Sequence, residues 1–352
     1  MSDFHLLSVK NITKETEKSV SISFNIPDTL KDTFAFEAGQ YITLKTEING
    51  NEVRRDYSLC VAPSCGELKI AIKEVENGLF SKYANNDLRV GNTIMVAPPK
   101  GRFTFKPNDK KVKNIAAFAA GSGITPILGI IKCALKEEVH SKVILVYGNK
   151  SAKDTMFLNE LLQLQHEYKD RFTIQFVFSQ TDEDNAIFGR IEKSTINYVV
   201  KNKHKDVLVD AYYICGPEGM IHTVKDVLKE HGVDDSLIHY ELFKVDTQVT
   251  ALKSESLTDG NTTITVIVDE VSTTFDMPQK QTILEAALDK DLDTPYSCQG
   301  GICSSCLAKV TEGKAVMRQN HILTESEVAE GLVLTCQAQP TTPTIVVDYD
   351  DV

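Results

Sequence analysis

Four of the eight cysteines fall in one C-terminal pattern, and this pattern constrains the chain more than any other feature of its sequence. Cys298 and Cys303 enclose four residues, Cys303 and Cys306 enclose two, and Cys336 follows after 29 more. Three thiolates on one short loop, with a fourth farther along the chain, are typical of a [2Fe–2S] cluster. Two adjacent glycines in the loop allow tight turns that bring amide N–H groups close to sulfur. The sequence therefore predicts Cys298, Cys303, Cys306 and Cys336 as metal ligands.

The alternatives are a structural zinc site and disulfide bonds. Zinc sites usually contain two C-x2-C pairs, and only Cys303 and Cys306 have that spacing here. The other cysteines are scattered singly, which favours a reducing compartment and a role as small buried apolar residues. They are Cys60, Cys65, Cys133 and Cys215.

The overall charge and apolar content exclude several classes of function. A net charge of −11 argues against nucleic acid binding, because phosphate contacts need clustered lysine and arginine. No run of 18 or more apolar residues is present, so the sequence predicts no membrane span. The N-terminus lacks the basic and apolar segments of a secretory signal. These features together predict a cytoplasmic protein.

The pattern of apolar and turn residues changes along the chain and predicts three domains. Residues 1–107 read as short strands separated by turn residues, which predicts an antiparallel barrel or sandwich. Residues 108–245 alternate apolar strands with helices, which predicts a parallel, doubly wound sheet. Residues 246–260 are polar and aperiodic, and we interpret them as a linker. Residues 261–352 read as a hairpin, a helix, the cysteine loop and closing strands.

Two segments of the N-terminal domain have the residue types of a ligand site. On a strand, Arg55 and Tyr57 share one face and Ser58 points to the other, so an arginine and an aromatic ring can serve one ligand. Gly78 and Ser81 precede a short predicted helix, whose first N–H groups favour an anion. The alternatives are a surface arginine beside a core tyrosine, and an ordinary helix cap by Ser81.

Two glycine-rich turns in the second domain are typical of dinucleotide binding. One runs from Gly121 through Gly123 to Thr125 and Pro126, and the other contains Gly216 and Pro217. Each follows a predicted strand and opens a helix, where backbone amides can approach a pyrophosphate. A plain strand-to-helix turn is the alternative for the first.

The loop after the second strand of this domain bears on the choice of nucleotide. It contains Lys150, Ser151 and Lys153, with no acidic residue before Asp154. This favours NADPH over NADH, because NADH sites often place an acid there to bind the ribose. A solvated loop is the alternative.

In this order, the motifs resemble those of the ferredoxin–NADP reductase superfamily with a C-terminal plant-type ferredoxin domain. The resemblance covers essentially the whole chain and implies a flavin barrel, a nucleotide-binding α/β domain and an α+β domain with a β-grasp fold. It implies that Arg55 binds the FAD pyrophosphate, Tyr57 lies against the isoalloxazine and Ser58 lies near its N5. It implies that Gly78 and Ser81 belong to a pyrophosphate loop.

The same resemblance implies roles on the nicotinamide side. The segment Gly121–Pro126 would line the nicotinamide, with Thr125 close to the flavin, and Cys215 would face nicotinamide C4. The segment containing Glu241 resembles the acidic-aromatic stretch that ends the reductase module near the flavin in this family. Lys150 departs from the arginine of many relatives, and lysine lacks the bidentate fork of arginine.

The implied function is electron transfer from NADPH or NADH through FAD and the cluster to an oxygenase component. The alternatives are another acceptor, such as hybrid-cluster protein, a Rieske oxygenase or a desaturase component, and a sensor that uses flavin and cluster for regulation. The predicted linker would allow the cluster domain to move between flavin and partner.

Overall fold

The computed structural model describes residues 4–108, 112–243 and 260–352. These fall into two compact units, of which one spans His5–Phe243 and the other takes the C-terminal part of the chain. The predicted linker, 246–260, lies outside the described residues apart from Gly260. None of the helices in the described ranges is long and apolar enough to cross a membrane.

The N-terminal part of the first unit is a six-stranded antiparallel barrel. Its strands pair in the order β4-β3-β6-β1-β2-β5. They are β1 (His5–Thr16), β2 (Ser19–Asn25), β3 (Tyr41–Ile48), β4 (Asn51–Ser58), β5 (Leu68–Lys73) and β6 (Thr93–Val96). A bridge between Leu59 and Ile70 joins the two ends of this order and closes the barrel. The sequence pattern did not predict β1, because beyond Val9 this strand is mostly polar.

A short helix, α1 (Leu79–Asn86), follows β5. The sequence pattern placed its start at Ser81, but the helix begins two residues earlier, with Gly78 at the N-cap. Capping by Ser81 is therefore wrong, since Ser81 lies inside the first turn. Its hydroxyl accepts from the Val75 N–H at 3.1 Å and donates to the Gly78 carbonyl at 3.3 Å.

The second part of this unit is the predicted parallel sheet. Its strands are β7 (Ile115–Ala120), β8 (Val143–Asn149), β9 (Phe172–Phe178), β10 (Ala186–Phe188), β11 (Ala211–Gly216) and β12 (Ile238–Leu242). Their order is β10-β9-β8-β7-β11-β12, and every pairing is parallel. The central strands are apolar on both faces, as expected for strands covered by helices on both sides. The chain reverses its winding between β7 and β11, where open α/β sheets bind ligands.

Four helices connect these strands. They are α2 (Ile124–Glu137), α3 (Leu158–Glu167), α4 (Lys193–Asn197), which continues into a π-helical turn at Tyr198–Lys203, and α5 (Glu218–Glu230). Strands β10 and β12 and helix α4 were not predicted. All three are short, and both strands lie at sheet edges, where the apolar runs that reveal central strands are absent.

The C-terminal unit is a mixed sheet with a helix packed on it, which confirms the β-grasp prediction. Its elements are β13 (Asn261–Val268), β14 (Val271–Pro278), α6 (Ile283–Leu288), β15 (Leu307–Glu312), β16 (Ala315–Met317), α7 (Glu325–Ala329), β17 (Leu332–Leu334), β18 (Ala338–Pro340) and β19 (Thr344–Asp348). Five strands pair in the order β14-β13-β19-β15-β17, and β16 pairs with β18. Helix α6 starts where Thr282 and Glu285 form a capping box. The cysteine loop lies between α6 and β15.

Candidate redox site

Strand β4 and helix α1 bring the two predicted flavin segments together. The ring of Tyr57 on β4 lies 5.5 Å from the ring of Phe80, which is in the first turn of α1. Arg55 is exposed on β4, and its guanidinium donates to the Arg54 carbonyl at 2.6 Å. A half-buried aromatic ring therefore stands beside the first turn of a helix, and an exposed cation lies two residues before it on the same strand.

Gly78 is required by the close packing of the turn before α1. A Cβ at this position would overlap the Ser81 hydroxyl oxygen and approach the Val75 Cβ to 3.2 Å. The Ser81 hydroxyl is buried and holds the turn through Val75. The first N–H groups of a helix have no intrahelical acceptor, so this turn presents donors suited to a phosphate group.

The turns after β7 and β11 are in backbone contact, as the two glycine motifs led us to expect. A Cβ on Gly123 would overlap the Cys215 carbonyl oxygen, and a Cβ on Gly216 would come within 3.2 Å of Ala120. Gly121 has φ of +55°, which favours glycine. Thr125 is buried, and its hydroxyl donates to the Ser122 carbonyl at 3.0 Å. Pro126 lies in the first turn of α2, where its missing N–H leaves no helical bond unmade. Pro217 is the N-cap residue of α5.

Ser58, Cys215 and Glu241 meet where the barrel contacts the sheet. The Ser58 hydroxyl at the end of β4 donates to the Glu241 carboxyl at 3.4 Å. Glu241 on β12 pairs with Cys215 on β11 in the parallel register. Ser58 and Cys215 are both buried. Three residues that the sequence separates by up to 183 positions thus form one group.

Burial controls the protonation of this group. Desolvation raises the pKa of Glu241 to about 8, the Ser58 hydrogen bond lowers it, and Asp56 raises it further. Part of the Glu241 residue stays exposed, but protein atoms surround its carboxyl. Desolvation, reinforced by Glu241, also raises the pKa of Cys215 well above its usual value. At neutral pH the group therefore holds a protonated carboxyl and a neutral thiol.

The loop after β8 contains both exposed and buried polar residues. Lys150 is exposed, whereas Ser151 is buried and its hydroxyl donates to the Asp154 carboxylate at 2.5 Å. A hydroxyl whose hydrogen is already donated offers a phosphate only lone pairs. Of the residues predicted to contact a 2′-phosphate, the lysines remain the available donors.

The sequence analysis missed Lys73, which lies at the end of β5. A Cβ on Gly121 would lie 3.8 Å from the Lys73 ammonium, so this cation stands beside the first glycine turn. Burial lowers the pKa of Lys73, with Asp154 opposing and Lys150 reinforcing the shift. No local pattern identifies this lysine, because β5 and β7 approach each other only in the tertiary structure.

In the C-terminal unit, the four predicted cysteine ligands fall into two pairs. The Cys298 and Cys303 sulfur atoms lie 3.0 Å apart. The side chain of Cys306 interacts with that of Cys336 and lowers its pKa. No group of three or more potential ligand side chains converges on a single point in the described residues. Two pairs of thiols suit two irons, with one pair for each, better than they suit a single zinc ion.

Backbone amides in the cysteine loop point toward sulfur. The Gly300 N–H donates to the Cys298 sulfur at 3.3 Å. Hydrogen bonds from the Cys303 thiol and from the amides of Gly300, Ile302 and Cys303 lower the pKa of Cys298 to about 6. Gly301 has φ of +71°, and a Cβ there would lie 3.1 Å from the Gln319 carbonyl oxygen. The loop is therefore built to hold a thiolate.

Comparison with protein families matches three domains in the predicted order. Residues 4–105 match the oxidoreductase FAD-binding domain, residues 118–226 the oxidoreductase NAD-binding domain, and residues 266–341 the 2Fe-2S iron-sulfur cluster binding domain. The chain is 37% identical to a subunit of the 1,2-phenylacetyl-CoA epoxidase of Escherichia coli K12, with 99% of each chain covered.

The chain belongs to the reductase components of multicomponent oxygenases. This reductase is also 31% identical to the ferredoxin reductase component of the 3-ketosteroid-9-alpha-monooxygenase of Rhodococcus rhodochrous, over 98% of this chain and 96% of the relative. As a member of the family it is an oxidoreductase that passes electrons from NAD(P)H through FAD and a [2Fe–2S] cluster to an oxygenase component.

Solved structures show the same fold. Phthalate dioxygenase reductase, described as a modular structure for electron transfer from pyridine nucleotides to [2Fe-2S], aligns with a TM-score of 0.60 at 24% identity, with 98% of each chain covered. An intact type IV self-sufficient cytochrome P450 monooxygenase aligns with a TM-score of 0.71 at 19% identity, over 98% of this chain and 41% of the other. The predicted fold of three domain types is confirmed.

The residues of the reductase fit its three cofactors. The turn at Gly78 has no room for a Cβ, so the N-terminus of α1 would be accessible to the FAD pyrophosphate. The contact between Gly123 and the Cys215 carbonyl keeps side chains out of the crevice at the switch point, as a dinucleotide requires. The amides around Cys298 and the pairing of the four thiols suit a [2Fe–2S] cluster.

Proposed function

We propose that this reductase supplies electrons to a phenylacetyl-CoA 1,2-epoxidase. The observation that carries the proposal is the similarity to the Escherichia coli epoxidase component, which extends over 99% of both chains. All three domains lie within that alignment, including the cluster domain from which an acceptor would draw electrons. The organic substrate would then bind to another polypeptide, and this chain would need no pocket for it.

A second candidate function is electron supply to a different oxygenase. The 3-ketosteroid-9-alpha-monooxygenase reductase of Rhodococcus rhodochrous covers this chain almost as completely, at 31% identity. A glycine betaine monooxygenase reductase subunit of Pseudomonas aeruginosa is 27% identical over 90% of this chain. The same electron-transfer core therefore accompanies several oxygenase chemistries, and the acceptor is decided by the docking surface.

Reconstitution with defined oxygenases tests the partner. The intact reductase would be combined with the oxygenase component of the Escherichia coli phenylacetyl-CoA epoxidase, or with that of the Rhodococcus ketosteroid monooxygenase. NADPH oxidation coupled to product formation is expected to be at least about tenfold faster with the epoxidase. This ratio of rates corresponds to a difference of about 1.4 kcal/mol in activation free energy. Equal rates, or faster turnover of the steroid, would overturn the proposed partner.

We further propose that Ser58, Cys215 and Glu241 are the catalytic residues, placed where flavin and nicotinamide meet. Bound FAD supplies the chemistry of accepting a hydride and releasing its electrons singly. Cys215, with a neutral thiol, would shape the nicotinamide side. Ser58 Oγ and the Glu241 carboxyl, 3.4 Å apart, would hold and pass a proton at the flavin side.

For the cofactor contacts, we propose that Arg55, Tyr57, Gly78 and Ser81 bind FAD. We propose that Gly121, Gly123, Thr125, Pro126, Gly216 and Pro217 line the nucleotide crevice, with Lys73 as an added cation beside it. The four cysteines of the two thiol pairs would ligate the cluster. We propose domain limits at 107/108 and 245/246, with a linker at 246–260; the family matches to 4–105, 118–226 and 266–341 support this proposal. The reliance on reduced cysteines supports a cytoplasmic location.

We also propose that NADPH is the preferred nucleotide. Lys150 would contact its 2′-phosphate, and Ser151, the next residue in the loop, would lie beside that contact. The Lys150→Ala variant is expected to raise KM for NADPH about tenfold, the effect of losing one charge-assisted contact, and to leave KM for NADH unchanged. Lys142→Ala is the matched control, because Lys142 is exposed at the other end of the same strand. An equal change with both nucleotides would contradict this specificity role.

A further inference from the structure

The C-terminal tail reaches into the interior beside the cysteine pairs. Tyr349 follows β19 and is buried, and its N–H donates to the Ile267 carbonyl at 3.0 Å. Its hydroxyl donates to the Thr335 hydroxyl at 2.8 Å, and both partners lie in the interior. A phenylalanine would supply the same ring to the core, so the hydroxyl group needs an explanation of its own.

Thr335 connects this hydroxyl to the backbone of a predicted ligand. Its side chain is fully buried and donates to the Cys306 carbonyl at 3.0 Å. Its N–H donates to the same carbonyl, also at 3.0 Å. Because Thr335 precedes Cys336 directly, these bonds tie together the backbones of Cys306 and Cys336, the two members of one thiol pair.

The direction of each bond is fixed along this chain. Tyr349 donates to Thr335, and Thr335 donates to the Cys306 carbonyl, so the threonine hydroxyl uses its only hydrogen toward the ligand segment. The Thr335 hydroxyl therefore has both a donor, Tyr349, and an acceptor, the Cys306 carbonyl, and these two bonds fix its rotamer. Linked hydrogen bonds in a buried site also polarise and strengthen one another.

We propose that Tyr349 is a positioning residue for the [2Fe–2S] cluster, acting through Thr335 to fix the peptide of Cys306 relative to Cys336. This inference rests on the proposed ligation by the four cysteines. Tyr349 itself need not touch the cluster. Groups that orient metal ligands from outside the ligand set influence both affinity for the metal and its electronic properties.

The Tyr349→Phe variant of the full-length reductase tests the inference. Release of the cluster to a chelator, followed by visible absorbance without air, is expected to be about tenfold faster than in the parent protein. The EPR spectrum of the dithionite-reduced protein should show shifted g-values. Tyr198→Phe is the control, because Tyr198 is exposed in the other unit and should change neither readout.

A double-mutant cycle tests whether Tyr349 acts through Thr335. Thr335→Val is expected to release the cluster faster than Tyr349→Phe, since it removes both the bond to the Cys306 carbonyl and the bond from the Tyr349 hydroxyl. The double variant should release it no faster than Thr335→Val alone, whereas multiplied effects would show independent action and overturn the inference. Thr335→Ser, which keeps the hydroxyl, should behave like the parent, and Thr265→Val controls for a threonine on β13 whose hydroxyl pairs with that of Thr274.

The outcomes separate this inference from the ligand assignment. If the parent protein gave no [2Fe–2S] EPR signal, the proposed cluster itself would be contradicted. A parent with a normal signal, and a Tyr349→Phe variant with unchanged release rate and g-values, would remove only the positioning role. Thermal unfolding of Tyr349→Phe shows whether the fold is intact, so a structural loss is not mistaken for a change at the cluster.

Discussion

At the scale of single residues, Glu241 shows how tertiary packing changes a common side chain. A glutamate on an edge strand would ordinarily be ionised at neutral pH. Here burial raises its pKa to about 8, and the hydrogen bond from Ser58 only partly opposes that shift. A carboxyl that titrates near neutrality is suited to exchanging protons during turnover.

The shifted pKa of Glu241 predicts how stability depends on pH. The folded carboxyl binds its proton more tightly than the unfolded one, for which the usual value is 4.5. Between pH 4.5 and about 8 the folded state therefore carries more protons, and the free energy of unfolding falls as pH rises. In FAD-free protein, Glu241→Gln should remove about 4 kcal/mol of this decline, as measured by urea unfolding at several pH values.

The control for this prediction is Glu47→Gln, because Glu47 is an exposed glutamate on β3. Its unfolding should keep the pH dependence of the parent protein. If Glu241→Gln shows the same slope as the parent between pH 5 and 8, the carboxyl is ionised in the folded protein and its proposed proton-holding role fails.

At the scale of elements, the two strand-to-helix turns form one structure rather than two motifs. The turn after β7 lies so close to β11 that Gly123 has no room for a side chain beside the Cys215 carbonyl. The turn after β11 in turn places Gly216 against Ala120 and 2.7 Å from the Met220 side chain, measured from a Cβ. Contact between neighbouring parallel strands thus decides which residues these turns tolerate.

A pair of glycine substitutions tests this packing. Gly123→Ala should destabilise the FAD-free protein by about 2–3 kcal/mol and weaken NADPH binding, because the new methyl group forces the turn away from β11. Gly219→Ala has open space around its Cβ inside α5 and should stabilise by about 0.5–1 kcal/mol through helix propensity. Urea unfolding and nucleotide titration would measure both, and equal effects of the two would contradict the packing argument.

At the scale of the whole molecule, the two compact units have separate hydrophobic cores. The barrel and the parallel sheet of the first unit contain two of them, and those cores include no residue of the C-terminal unit. The C-terminal unit has its own, built around Ile264, Ile283 and Val347, with a smaller cluster around Cys306 and Leu334. Each unit therefore buries the apolar surface that folding requires.

Separate cores predict that each unit folds alone. A fragment of residues 1–243 should bind FAD and be reduced by NADPH, with ferricyanide reduction close to that of the intact chain. A fragment of residues 260–352 should give the [2Fe–2S] EPR spectrum of the intact chain after reconstitution. Absorbance, EPR and thermal unfolding of both fragments would check this, and an unfolded fragment would show that the units depend on each other.

Charge is distributed unevenly along the molecule. Residues 261–352 contain 14 of the 49 acidic residues but only 5 of the 38 basic ones, a net charge of −9 out of −11. Raising the ionic strength from about 0.05 to 0.5 M should therefore slow acceptor reduction about tenfold, because screening weakens attraction to a basic partner. NADPH-driven ferricyanide reduction is the comparison, since it needs no partner protein and should change far less. An acceptor rate that ionic strength leaves unchanged would exclude electrostatic docking.

The parts of the fold that the sequence predicted are those in which local pattern and packing agree. The apolar runs in β7, β8 and β11 predicted a parallel sheet with helices on both faces. The cysteine spacing predicted the cluster loop. The short elements β10, α4 and β12 were not predicted, because none has enough apolar residues in a regular period. The predicted start of α1 was two residues too late, because the Ser81 hydroxyl bonds to the Val75 N–H instead of capping the helix.

The sequence by itself determined the order of three domains, the glycine turns and the four cysteines, since each of these is written in spacing over a few residues. Only the tertiary structure decided that Ser58 meets Glu241, that Lys73 stands beside Gly121 and that Tyr349 bonds to Thr335. The physical reason is that these pairs join distant segments, and their energies come from burial and from hydrogen bonds that exist only when the strands have assembled. Local periodicity contains no information about such contacts.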